Sequence, residues 1–267
     1  MASLGLAQAE KLRVLTTIAP MTTLAMNVAG DAATVEQLLP PGAEPHDFAL
    51  APADLKKIAR ADVVIENGLG LEEWLGPALR GSRAARIVAS SGIESDDGNP
   101  HLWLDPLLAM RQAENIRRGL VERDPAHAAE YNRNAAAFTE TLRTLDAEIR
   151  QATAALPNKR LLPFHDAFHY FAKRYGFEVV GVLEAFPGRE PPPRALRQLE
   201  NTIREKHVTV LFTEPRHAPA ALRSLAETMK LPIVEIDPME QGEPTAGLYE
   251  ATMRSNLHQL QEALHAR

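Results

Sequence analysis

Three histidines and one aspartate stand where a chain could gather metal ligands. His46 (in PHDF), His101 (NPHLWLDP) and His165 (FHDAF) each fall at the start of a predicted helix, and Asp237 (EIDP) takes a matching place later on. Three neutral imidazoles and a carboxylate make a complete four-ligand shell for a borderline divalent ion such as zinc. The chain has no cysteine, so no thiolate can take part. Singly, each group also has a plainer use. A lone histidine fits a surface or hydrogen-bonded position, and Asp237 before Pro238 fits a helix cap or a turn. Asp47 and Asp166 follow their histidines and fit either caps or carboxylates that orient an imidazole.

The remaining histidines compete for attention. His169 lies four residues after His165, on the same helix face. A pair at that spacing can bind metal, as in H-E-x-x-H enzymes, but the string here is HDAFH and lacks the glutamate base. His217, in TEPRHAP after the strand VTVLFT, falls near the mouth of any cleft. His127, His207, His258 and His265 read as surface residues. Gly68-Leu69-Gly70 is not a dinucleotide fingerprint, and no phosphate loop or G-x-S-x-G elbow occurs. Glu72-Glu73-Trp74 reads as structural rather than as a carboxylate dyad.

The elements that must position these groups alternate. Residues 11–19 (KLRVLTTIA), 33–39, 62–66 (DVVIE) and 86–89 read as strands. Helices are expected after Pro20 and over 53–60. Residues 90–99 form a polar, acidic loop leading to His101. Asp105-Pro106 and Asp124-Pro125 are helix starts, an aspartate cap followed by proline. Leu104, Leu108, Ile116 and Leu120 share one face of the first helix. In the second, Tyr131, Ala135, Phe138, Leu142, Leu145, Ile149, Ala152 and Leu156 alternate spacings of four and three, an unbroken apolar stripe. A helix over 125–156 would be about 48 Å long, enough to bridge two lobes. Strands then recur at 160–164, 178–183, 208–213 and 233–236, with helices at 167–175, 194–206, 219–230 and 248–264. The reading is α/β: a lobe over 10–124, a linking helix over 125–156 and a lobe over 157–267, with mainly parallel sheets. In such sheets ligands collect beyond the carboxyl ends of strands. His165 and Asp237 directly follow strands of the second lobe, while His46 and His101 lie in the first. An ion held by all four would sit in the cleft between the lobes.

Composition sets the outer limits. The 267 residues are 45% hydrophobic and 24% charged, with a net charge of −6, an ordinary globular balance. No basic block stands out, which argues against nucleic acid and anionic membranes as partners. No apolar run reaches the roughly 18 residues of a membrane span. Residues 1–9 (MASLGLAQA) end in Ala7-Gln8-Ala9 before Glu10 and resemble the tail of a secretory signal, cleaved before Glu10. No cysteine follows that site to carry a lipid.

Several blocks together resemble a known family. PHDFALAPADLKKIARADVVIENGLGLEEWL, NPHLWLDPLLAMRQAENI, FHDAFHYFAKRYGFEVVGV, VLFTEPRHAP and EIDP are similar to the TroA-like zinc and manganese receptors, the metal-binding substrate-binding proteins of ABC importers. The similarity covers almost the whole chain after Glu10. It implies two α/β lobes joined by a long rigid helix, an ion between them, and delivery of that ion to a membrane permease by a periplasmic, monomeric receptor. The family's ligand positions fall on His46, His101, His165 and Asp237. Manganese receptors tend to carry a carboxylate at the third position, so His165 points to zinc, with a manganese receptor of the same family as the alternative. Two departures stand out. The 90–99 loop is short and lacks the histidines of dedicated zinc receptors, and His169 replaces a small residue. Readings from other classes are a zinc hydrolase, disfavoured by four protein ligands and no evident general base, and a surface adhesin on the same scaffold.

Overall fold

The computed structural model describes residues 10–183, 192–215, 219–239 and 242–265. The signal-like segment 1–9 and His217 lie outside the described residues. The first half builds β1 (Leu12–Thr16), α1 (Ala19–Ala29), β2 (Ala33–Gln37), α2 (Pro52–Arg60), β3 (Val63–Glu66), the short α3 (Gly76–Leu79) and β4 (Ala85–Val88). The four strands form one parallel sheet in the order β2-β1-β3-β4. Every residue of β3 is buried, as expected of a strand covered on both faces. Pro20 does not simply end β1: it sits in the first turn of α1, where its missing N–H costs nothing.

Two helices follow. In α4 (Pro106–Arg123), Asp105 is the N-cap, and its carboxylate accepts from the backbone of Leu107 and Leu108. The expected long helix is α5 (Ala128–Ala154), 27 residues and about 40 Å long. Residues 125–127 form a separate 3-10 turn before it. The stripe from Tyr131 to Ile149 is buried, and α5 packs on α1, α4 and, later in the chain, α9.

The second half contains β5 (Arg160–Leu161), α6 (His169–Tyr175), β6 (Glu178–Val179), α7 (Pro193–Glu205), β7 (Leu211–Thr213), α8 (Ala220–Met229), β8 (Ile233–Glu235) and α9 (Leu248–His265). The strands pair in parallel as β5-β6 and β7-β8, and the Phe212 N–H to Leu162 carbonyl bond ties the pairs together. They are shorter than the pattern predicts. Pro163 interrupts the β5 run with a residue that cannot donate to a ladder, though Val180 and Leu183 still reach across to Leu161 and Pro163. One apolar cluster runs from Val14 and Ile65 through Leu142 and Leu145 of α5 to Phe171, Phe212 and Tyr249, so both halves share a core. A smaller cluster, including Leu162, Leu199, Leu211 and Leu225, lies within the second half. Among the described residues, no helix is long and apolar enough to cross a membrane.

Candidate metal centre

Each histidine lies on a loop beyond the carboxyl end of a parallel strand and next to a 3-10 turn. His46 is inside the turn Pro45–Asp47 after β2, His101 precedes Leu102–Leu104 after β4, and His165 precedes Asp166–Phe168 after β5. Proline at 45, 100 and 163 restricts the backbone leading into each one. These loops bring the three side chains together. One nitrogen from each lies within 4.8 Å of the others. Ring centroids are 5.0 Å apart for His101 and His165, 5.4 Å for His46 and His101, and 6.3 Å for His46 and His165. His101 and His165 are only 3% and 7% exposed, while His46 forms the solvent side of the cluster.

Hydrogen bonds behind the rings decide what faces inward. His101 Nδ1 lies 2.9 Å from Asn99 Oδ1, an acceptor that also takes the His101 backbone N–H. His165 Nδ1 bonds the carboxylate of Glu214. Both Nδ1 atoms therefore carry a proton, and the two Nε2 atoms turn toward each other. Those two Nε2 atoms are 3.2 Å apart. At that distance a proton or a metal cation must lie between them. Tetrahedral zinc, with Zn–N bonds of about 2.0–2.1 Å, sets neighbouring nitrogens about 3.3 Å apart. Protonation of His101 is a poor alternative. Burial drives the His101 pKa well below its ordinary value, and the neighbouring His165 and His46 push it further down. Burial also lowers that of His46, against the opposing field of Glu44. The site thus keeps at least these two imidazoles neutral, the form a metal needs.

Asp237 lies two residues beyond β8 and is not part of the histidine cluster among the described residues. Its backbone is clamped by Asn256, whose Oδ1 accepts from Asp237 N at 2.8 Å and whose Nδ2 donates to Asp237 O at 2.7 Å. Its Oδ1 accepts from Met239 N at 2.8 Å. His169 points elsewhere. Its Nε2 is 3.1 Å from Asp96 in the 90–99 loop, and Lys173 holds the same carboxylate oxygen at 2.6 Å. Asp166 accepts from Asn99 Nδ2 at its backbone and carboxylate oxygens, 2.7 and 3.2 Å. Asn99 thereby stitches the His101 loop to the His165 loop. Glu72 is structural: it accepts from Thr17, Asn67 N and Gly68 N at the end of the first sheet. Gly68 adopts φ +87°, and a Cβ there would meet Ser90 Oγ and Val88 Cγ1 at 2.6 Å. His207, His258 and His265 are exposed, and His127 bonds Asp124.

Sequence reasoning missed Asn99 and Glu214. Glu214 could have been found, because it follows a strand just as His165 and Asp237 do. Nothing in the string marks Asn99 as a partner.

Residues 14–263 match the family described as ZnuA, zinc-uptake complex component A, periplasmic. The chain is 37% identical to the iron-binding protein YfeA of Yersinia pestis, over 77% of this chain and 70% of that protein. It is 28% identical to the high-affinity zinc uptake system protein ZnuA of Bacillus subtilis, over 96% of this chain and 88% of the relative. It is similar to the structure of the SBP FpvC from Pseudomonas aeruginosa in complex with Mn2+, with a TM-score of 0.85, 29% identity, and coverage of 96% and 98% of the two chains. The matched span, the α/β fold and the converging imidazoles agree, and the chain belongs to the ZnuA family of metal-binding substrate-binding proteins of ABC importers, acting in the uptake of a divalent metal ion.

Proposed function

We propose that this protein is an extracytoplasmic zinc receptor. The imidazoles of His46, His101 and His165 and the carboxylate of Asp237 hold the ion between a lobe over 10–124 and a lobe over 157–267, with 125–156 as a fixed spacer. The observation that carries this reading is the pair of facing Nε2 atoms, 3.2 Å apart with both Nδ1 atoms already committed. Three nitrogen donors favour zinc over manganese, which prefers oxygen-rich shells. Asp237 supplies the fourth ligand, which leaves no open position for the water that a catalytic zinc would activate. The protein is a carrier and not a hydrolase. It works as a periplasmic monomer, secreted by a cleaved signal, and passes its ion to an ABC permease.

The test is competitive titration of metal-free protein with zinc and manganese, followed by metal analysis. Zinc is expected to bind one ion per chain and to displace manganese from an equimolar mixture. Manganese retained against zinc would make this a manganese receptor. Ester or peptide hydrolysis dependent on the bound ion would restore the enzyme reading.

A further inference from the structure

The chain has two tryptophans, and both use the indole N–H in the same way. Trp74 donates to the carbonyl of Pro45 at 2.9 Å, and Pro45 immediately precedes His46. Trp103 donates to the carbonyl of Pro238 at 2.9 Å, and Pro238 immediately follows Asp237. The second contact joins residues 135 positions apart. Trp103 is fully buried, two residues after His101, and its ring centroid lies 5.2 Å from that of His101. Its own carbonyl accepts from the Tyr249 hydroxyl at 2.7 Å, which anchors it to α9. Trp74 packs against Phe48 with centroids 5.1 Å apart, so the segment carrying His46 is bracketed from both sides.

A buried carbonyl without a donor is costly, so each indole fixes the loop it holds. A ligand set tolerates displacements of only about half an ångström. We propose that the two tryptophans are positioning residues of the metal centre: Trp103 sets the Asp237 loop against His101, and Trp74 sets His46. The Trp103 arm rests on the reading of Asp237 as a ligand. Neither indole touches the ion; each acts through a different partner, and that difference can be measured.

The test is a pair of double-mutant cycles on zinc affinity, read by competition with a chromophoric chelator. Trp103→Phe keeps the aromatic bulk and removes the donor. It is expected to weaken zinc binding about tenfold, as loss of a partner behind a ligand does. In an Asp237→Ala background that effect should largely vanish, whereas in a His46→Ala background it should persist. Trp74→Phe should give the mirror pattern, losing its effect with His46→Ala and keeping it with Asp237→Ala. Additive effects in every background, or no weakening by either variant, would overturn the inference. If Asp237→Ala alone leaves zinc affinity unchanged, the ligand reading fails and the Trp103 arm falls with it. If Asp237→Ala weakens binding but the cycle is additive, only the positioning role falls. Circular dichroism checks folding of each variant. Should Trp103→Phe not fold, the Trp74 cycle decides whether indole donors position ligands in this site.

Discussion

At the scale of single residues, the site divides into groups that face the ion and groups that hold them. His165→Ala removes a lone pair from the cluster, and zinc affinity is expected to fall at least about a hundredfold. His169→Ala should change it only a few-fold, because His169 is engaged with Asp96 at 3.1 Å. Isothermal titration of both variants checks the contrast, and equal losses would remove His165 from the shell. The acid limit of binding follows from the same residues. His46 and His101 have pKa values lowered by burial, so both stay neutral below the ordinary histidine range near about 6.5. Binding needs neutral imidazoles, so affinity should fall as pH drops through and below that range. Titration across that range tests this, and a decline that starts well above 7 would contradict it. The histidines were legible in the sequence because their residue type carries the chemistry. Asn99 and Glu214 were not, since their role comes from the ring each one faces across the fold.

At the scale of elements, α5 was the most legible feature and the short strands the least. A stripe at spacings of four and three is a property of the string itself. Strand ends are set by ladder partners elsewhere in the chain, which is why β5 and β6 shrink to two residues each. Leu145, fully buried on α5, belongs to the shared core. Leu145→Ala is expected to cost about 2–5 kcal/mol of unfolding free energy, measured by denaturant titration. An unbroken helix in contact with both halves should also restrict hinge motion. Solution scattering of metal-free and zinc-loaded protein should give radii that differ little, and a large closure would contradict this. Glu72, where the ends of β1 and β3 meet, adds a pH effect. Burial raises its pKa from 4.5 to about 7 despite three donors. The folded state then holds the proton more tightly than the unfolded chain. The associated stability is present below 4.5 and is lost as pH rises through about 7, a change on the order of 3 kcal/mol. Relative to Glu72→Gln, the wild type should lose stability between pH 5.5 and 8 in denaturant titrations.

At the scale of the whole molecule, the sequence pattern suggests two lobes on a spacer, while the packing joins them more closely than a spacer would. Arg174 of α6 pairs with Asp105 at the start of α4, and the Tyr175 hydroxyl donates to Asp146 of α5 at 3.0 Å. The larger apolar cluster passes through α5 without a break. The two halves should therefore melt as one cooperative unit, with a single calorimetric transition. An ion bound by a few side chains would then be felt in every element. Free zinc at a hundred times its dissociation constant adds about 2.7 kcal/mol to a fold that unfolds in one step. Because the core is continuous, the melting temperature of the entire chain becomes a gauge of cargo, readable without any probe at the histidines themselves.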